Sequence, residues 1–552
     1  MAMQIKDIRK AAEEKGLKIE WIERGDFNTD NPNGKTYEDG RKIANARFSY
    51  KPAAIAYCED SDAVAGLFKI FKDDPPKFRV RSGGHQHEGM CSADDVLLID
   101  LSRLRCISFR HGRKEAWIGP GCSLRDVYRA LWDDKEMKQT DRRLFPGGGC
   151  SSVFAGGLVQ GGGWGVWLRR YGLSCDNLLE VEIVLADGTK VQADELRRKD
   201  LFWAVRGGGG GNFGVVTKFR VRLHPYPKQM TRFRLRWAPE HRLDIARTWM
   251  RLQGKAPDTQ KLYTPSELTT FCRLSVVPSS SSADPKQDPR SNSVIVAGMF
   301  LGSEAKLRKI LQPFYDIAQP IPPSKPDARE YTPIYPSPAD VRGQQGSQGL
   351  TSEMDELIAL LQPGFFLHQG SAQGVLAAEE SPWPPESTCS TKNRYPHKVS
   401  SAFPTGPAAY DQLAKDLIDT LEKTESDPEA NLYVSLHGFG GAVADKKSSE
   451  TAFPYRDKEF MLQFQAWWAS PQSSKSKQYI RWIEDFRKHL KGIEGAFINF
   501  PDVSLVADPD AQRVELLEHY YAGNLPELRR IKRDVDPKNL FSFGMSIPPA
   551  ES

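Results

Sequence analysis

The sequence predicts an α+β fold in two domains, and three observations lead there. From about Ala46 to Pro225, short apolar runs bounded by turn residues alternate with helical patterns. Beyond Pro225 the composition shifts to Pro/Ser-rich stretches set between longer strand and helix candidates. Glycine, 45 residues in all, is concentrated: nine lie between Gly147 and Gly165, and five run consecutively from Gly207 to Gly211. Clustered glycine marks places where something approaches the backbone closely.

Each element rests on its own residues. In the first region the strands are AIAYC (54–58), FRVRSGG (78–84), VLLIDLS (96–102), AWIGPG (116–121), VEIVLADG (181–188) and VVTKFRVRLHP (215–225), with SLRDVYRALWDD (123–134) as a helix. In the second, the stretches 278–289, 320–338 and 381–390 read as long surface loops. In FMLQFQAWW, Phe460, Leu462, Phe464 and Ala466 take one face while Met461, Gln463, Gln465 and Trp467 take the other, so a half-buried strand turns two amides toward a polar cavity. In LYVSLHGFGG the same alternation puts Tyr433 and His437 opposite Leu432, Val434 and Leu436. KQYIRWIEDFRKHL spaces Ile480, Ile483, Phe486 and Leu490 as a helix that covers a sheet.

Composition bounds the function. A chain of 552 residues with 39% hydrophobic and 27% charged residues is an ordinary globular protein, not a disordered or fibrous one. Its balance of 76 basic against 71 acidic residues is too dilute for a nucleic-acid or membrane-surface partner. Eight cysteines without a C-x-x-C pair suggest neither zinc nor a redox dithiol, and most read as small buried residues. The N-terminus lacks the apolar core of a signal peptide and no run of 18 apolar residues occurs, so the expected location is cytoplasmic.

Three glycine constellations carry the chemistry. In FRVRSGGHQHEG, Arg81 and Ser82 precede Gly83-Gly84, then His85, Gln86 and His87; a strand running into two glycines lets amides curl around an anion such as a pyrophosphate. His85 and His87 have no third ligand in the sequence around them, so no metal is expected. FPGGGCSSVFAGGLVQGGGWG (145–165) is too glycine-dense for one phosphate turn and has neither P-loop nor G-x-G-x-x-G spacing in context, which disfavours ATP chemistry and implies a larger, flatter ligand. Its Cys150 is either a buried small residue or a thiol presented to that ligand. DLFWAVRGGGGGNFGVV (200–216) offers a backbone surface for a planar ring.

RSGGH, FPxGxC followed by GGG, YGLSCDN (171–177), DLFWAVRGGGGGNFGVV and the C-terminal VDPKNLF (535–541) with SIPP (546–549) together resemble the berberine bridge enzyme-like flavoproteins of the vanillyl-alcohol oxidase superfamily. The resemblance implies a PCMH-type FAD-binding domain plus a substrate domain with an antiparallel sheet covered by helices. It divides the chain into an N-terminal segment (1–45), the FAD domain (46–225), the substrate domain (226–502) and a segment returning to the FAD domain (503–552). It implies FAD bound twice, through the ring of His85 to the 8α-methyl and through Cys150 to C6 of the flavin. Ser82 to Gln86, Gly161, Gly162, Gly163, Asp176, Asn177, Gly214, Val216 and Asn524 would hold the remainder, with Arg81 and Trp164 beside them. Val153 stands where relatives with valine react readily with oxygen.

The catalytic base is where this chain departs from its relatives. The position of their tyrosine two residues after the anchoring histidine is His87, and the aromatic after GGG is Trp164. Their glutamate corresponds to Gln463, a lysine two positions earlier to Met461, and a tyrosine in INFPD to Phe500. None of those three accepts a proton at neutral pH, which leaves His87 as the first candidate base and His437 and Tyr433 as others. Gln463 and Gln465 fit a hydroxylated substrate as hydrogen-bond partners. The expected reaction is oxidation of a sugar, glycoside or secondary-metabolite alcohol with oxygen as acceptor. Oxidative cyclisation or desaturation of an alkaloid or polyketide intermediate is the alternative enzyme reading, and a flavin-binding protein with a decayed centre the non-enzymatic one.

Overall fold

The computed structural model describes residues 3–25, 36–132, 142–254, 264–276, 293–322, 330–334, 394–427 and 429–551. Most of the three Pro/Ser-rich stretches lies outside them. Within the second stretch, Tyr331–Ile334 is a strand rather than loop, paired antiparallel to Met230–Phe233. It is an edge strand, the one place in a sheet where a proline such as Pro333, with no N–H to donate, is tolerated.

Among the described residues, two larger sheets carry the first domain, with a short pairing of His224–Pro225 against Arg143–Leu144 beside them. Ala54–Cys58, Leu97–Asp100 and Phe78–Arg81 run parallel in that spatial order, and Ile19–Glu23 adds antiparallel to Ala54–Cys58. Every residue of Ala54–Cys58 is buried, as expected for a strand covered on both faces. The helix Ser61–Phe71 starts where the Asp60 carboxylate accepts the Ala63 amide, and it packs Val64, Leu67, Phe68 and Phe71 onto this sheet. The N-terminal segment, featureless as sequence, thus supplies a strand, and the helix Ile5–Glu14 adds Ile8 and Ala12 to the same core. A second, antiparallel sheet carries Ile107–Arg110, Glu115–Ile118, Val215–Arg222, Leu178–Val184 and Lys190–Asp194 in that order. Leu516, Leu517, Tyr520, Leu528 and Ile547 of the C-terminal segment pack into the core of this sheet.

Among the described residues, the second domain carries one antiparallel sheet of eight strands. Its spatial order is Tyr331–Ile334, Met230–Trp237, Val294–Phe300, Leu268–Val276, Ala430–Gly438, Phe460–Trp468, His397–Pro404 and Ile493–Glu494. Helices Arg242–Gln253, Glu304–Tyr315, Tyr410–Glu422 and Ser476–His489 contribute Trp249, Leu311, Leu417 and Ile483 to the core on one face. That core takes Phe460, Leu462, Phe464, Ala466 and Trp468, and Leu432, Val434 and Leu436 from the next strand, as the alternation requires. Gln463, Gln465, Tyr433 and His437 are left on the other face, toward the first domain. Between the domains lies an apolar cluster that includes Trp164, Phe439, Phe453, Met461 and Phe497. A bidentate Arg456–Asp176 pair (2.7 and 2.8 Å) locks them together.

Candidate active site

The three glycine segments and the polar face of the large sheet enclose one cavity of about 410 Å³. Arg81 to His87, Cys150, Val153, Gly161, Trp164, Gly214 and Val216 line it from the first domain; Tyr433, His437 and Gln463 line it from the second. Gly162, Gly163, Asp176, Asn177 and Asn524 stand outside its wall. The Asp176 carboxylate is taken by Arg456 and the Leu173 amide. Asn177 donates to the carbonyls of Tyr171 and Leu173, and Asn524 to those of Ser448, Thr451 and Ala452. These side chains brace the walls from behind. Arg81 is similarly committed: buried, it pairs with Asp100 and donates to the Gly40 carbonyl at 2.7 Å.

Whether the cavity fits a dinucleotide flavin can be tested on its glycines. A Cβ placed on Gly157 meets no atom within 4 Å, and on Gly210 or Gly211 none closer than 3.4 Å, so their missing side chains leave cavity space. Gly83, Gly84 and Gln86 donate no backbone hydrogen bond among the described residues, and Gly84 turns at φ +70°, which makes an amide nest suited to a pyrophosphate. The five-glycine loop is hung from behind, Gly207 and Gly209 donating to the Gln160 carbonyl and buried Lys532 donating to the carbonyls of Asn212 and Phe541. Asp536 of the VDPKNLF motif pairs with Lys532 and caps the amides of Leu540 and Phe541.

Not every glycine serves the ligand. Gly163 sits at φ +82°, where a Cβ would lie 2.4 Å from Ser174 Oγ, and its amide donates to Asn499 Oδ1. The contrast gives a prediction. Gly157→Leu folds with an unfolding temperature close to the parent's but loses flavin, read as visible absorbance relative to protein absorbance. Gly163→Ala is instead destabilised, by about 1–3 kcal/mol.

His85 and His87 turn to different partners. His85 Nε2 lies 3.2 Å from Ser152 Oγ, and Cys150 Sγ is 3.7 Å from the same hydroxyl. The two expected anchors therefore converge on one point of the cavity wall. The Cys150 sulfur is held in a disulfide. A thioether to flavin and a disulfide are exclusive uses of that sulfur.

His87 faces His397, Nδ1 to Nε2, at 2.9 Å, and its ring lies 5.8 Å from that of Phe500. Burial, with His85 and Arg47 nearby, pushes its pKa down to about 3, so the ring is neutral at physiological pH. His437 is buried between Trp164, ring centroids 4.5 Å apart, and Phe271. Neither of its nitrogens meets a hydrogen-bond partner among the described residues; burial pushes the ring down to about 4, against Gln463, which favours the charged form. Buried nitrogens with no protein partner on a cavity wall are placed for a ligand.

Tyr433 donates its hydroxyl to Gln465 Oε1 at 2.6 Å, and Trp467 Nε1 donates to the same oxygen at 2.7 Å. Burial pushes the Tyr433 phenol up to about 12, so it is held protonated at neutral pH. Gln465 keeps only its NH2 for a ligand. Trp467 is on this face by the alternation of its strand, whereas His397 and Asn45 stand in none of the motifs. Period-two alternation in HKVSSAFP was the available signal for His397, but nothing in the sequence brings it to His87.

The comparisons with known proteins agree with this geometry. Residues 52–194 match the FAD binding domain family, and residues 496–548 the family described as berberine and berberine like. An uncharacterised FAD-linked oxidoreductase of Bacillus subtilis is 29% identical over 93% of this chain and 95% of its own length. The O-acetylstemmadenine oxidase of Catharanthus roseus is 28% identical, covering 94% and 89%, and a monolignol oxidoreductase of Arabidopsis thaliana is 27% identical, covering 85% and 79%. In fold, a chitooligosaccharide oxidase superposes with a TM-score of 0.74 at 22% identity over 99% of this chain and 100% of its own. Berberine bridge enzyme from Eschscholzia californica gives 0.73 at 21%, with the same coverage. Among the described residues no helix is long and apolar enough to cross a membrane. Cavity and relatives converge: the chain is an FAD-linked oxidoreductase, similar along its length to the berberine bridge enzyme-like proteins.

Proposed function

We propose that the protein is an oxidase that holds FAD through both His85 and Cys150 and oxidises a hydroxylated small molecule, a sugar, glycoside or secondary-metabolite alcohol. One observation carries the reading: the two anchor side chains share a single cavity with a neutral histidine and the polar face of the substrate sheet. FAD bound there supplies the electron acceptor, taking two electrons from a substrate C–H bond and passing them to oxygen as hydrogen peroxide. The chain's own residues do the rest. The amides at Gly83, Gly84 and Gln86 bind the anionic part of the cofactor, and Gly157, Gly210 and Gly211 leave it room. Gln463, the Gln465 NH2 and His437 orient substrate hydroxyls, and His87 accepts the proton that leaves with the hydride. Val153 on the cavity wall supports oxygen as acceptor, by the resemblance noted above.

The test is anaerobic bleaching of the bound flavin by a panel that includes chitooligosaccharides and monolignols, the classes for which two relatives are named, followed by admission of air and peroxide assay. Bleaching by an alcohol with peroxide release is expected; no bleaching by any member supports a decayed centre. The attachment is tested by denaturing the reduced protein. Colour stays with the unmodified chain and with His85→Ala or Cys150→Ala alone, and is lost from the double variant. Release from the unmodified chain overturns double anchoring. Release from His85→Ala alone shows that the disulfide, not flavin, holds Cys150.

A further inference from the structure

His397 belongs to neither glycine loop, yet it is the direct partner of His87, and the hydrogen bonds around it fix which nitrogen carries each proton. The Tyr395 carbonyl, 3.0 Å from His397 Nδ1, can only accept, so His397 Nδ1 carries a proton and donates it. In a neutral ring Nε2 is then a lone pair. That lone pair faces His87 Nδ1 at 2.9 Å, so His87 Nδ1 carries the proton between them. His87 Nε2 is left unprotonated, and it has no partner among the described residues on a ring that lines the cavity.

The arrangement is braced on every side. Asn45, fully buried, donates to the backbone carbonyls of both His87 (2.7 Å) and His397 (2.9 Å) and accepts the His397 amide at 3.1 Å. Trp467 stacks on the His397 ring at 4.0 Å and 26°, and its own indole N–H is held by Gln465. Of the charged groups nearby, Glu88 is engaged by Arg47 and Lys398, each at 2.5 Å, and does not reach either ring as a partner. Arg47 and His85 act on His87 only through space and oppose its charging.

We infer that His397 is the positioning residue that holds His87 as its Nδ1–H tautomer, presenting Nε2 to the cavity as the acceptor for a substrate O–H or N–H proton. The inference rests on the reading of His87 as base. The proton passes from substrate to His87 Nε2, the Nδ1 proton stays on His87 and is donated to His397, and the imidazolium formed loses its proton to water on product release. A neutral histidine stands where hydrolytic triads place a carboxylate, so the imidazolium receives a hydrogen bond but no counter-charge.

The experiment is a two-bond proton–nitrogen correlation spectrum of flavin-loaded protein labelled with 15N-histidine, with His87 assigned by its loss in His87→Gln. His87 is expected to show a protonated Nδ1 and an unprotonated Nε2, unchanged from about pH 8 to 5. In His397→Phe the proton moves to Nε2 and the rate of flavin reduction falls by at least about tenfold. His397→Gln, whose amide oxygen can accept from Nδ1, restores both. A wild-type His87 protonated at Nε2, or doubly protonated near pH 6, overturns the inference even where the variants fail to fold. So does an unmoved tautomer in folded His397→Phe. If the tautomer is as inferred but His87→Gln reduces flavin at the parent rate, it is the base reading that fails.

Discussion

Replacing His87 by glutamine lowers the rate of anaerobic flavin reduction about 10²–10⁴-fold while flavin content is unchanged, which is what loss of a positioned general base costs. The effect is large because the other candidate acceptors named from the sequence are poor substitutes. Tyr433 is held as a phenol at about 12, and Gln463 and Phe500 cannot take a proton. His437 sits at about 4, buried against Trp164 and Phe271. A base near 3 is weak in the resting site, but the proton it takes grows more acidic as hydride leaves the adjacent carbon, so removal late in that step needs little basicity. The pH dependence separates this base from an ordinary histidine. The neutral form is the competent one and persists above a pKa of about 3, so the reduction rate should be flat from about pH 8 to 5. A rate that halves near pH 6.5 would mean that His87 titrates as in water, and a His87→Gln rate within threefold of the parent would remove it from the reaction.

Period-two alternation made the two faces of Phe460–Trp468 and Ala430–Gly438 legible, because in a strand the face depends only on residue parity. The same arithmetic placed Gln463, Tyr433 and His437 on one wall. Glycine density located the cavity, but density does not say what comes close: at Gly157 it is open space, at Gly163 it is Ser174. Asp176, Asn177 and Asn524 show the matching ambiguity of polar residues in a motif, since a side chain that pairs with an arginine or donates to a carbonyl behind the wall looks the same in sequence as one that reaches a ligand. Asn45 was illegible for another reason. Its partner His397 lies 352 residues away, and no local pattern carries the register that joins an N-terminal loop to a strand of the far domain.

Lys398→Met is expected to destabilise the protein by about 3–5 kcal/mol at pH 7, the cost of leaving a buried charge without its partner. Lys398 is 2% exposed and bridges Glu88 Oε1 and Asp502 Oδ1, each at 2.5 Å, while Arg47 holds the other Glu88 oxygen. One ammonium thereby ties the loop that carries His87, the strand that carries His397 and the turn before the C-terminal helices. Burial alone would raise the Asp502 carboxyl, but Lys398 and the Ser504 hydroxyl outweigh it and hold it down at about 2. A folded pKa below the unfolded one means that Asp502 stabilises the fold above about pH 4, a contribution lost as pH falls through about 2. His87 weakens the parent earlier: neutral when folded down to about 3, it makes the unfolded chain the better proton binder below about pH 6.5. In Lys398→Met the sign at Asp502 reverses. Its carboxyl, buried without an ammonium, is raised, so acid neutralises the orphaned charge and the deficit against the parent narrows between about pH 7 and 4. Adding Asp502→Asn, which removes that charge and keeps an oxygen for the Ser504 amide, should recover much of the loss at pH 7. Denaturant midpoints of parent, single and double variants across pH measure all of this. A deficit independent of pH would assign the cost to packing of the lysine stem rather than to the buried charge.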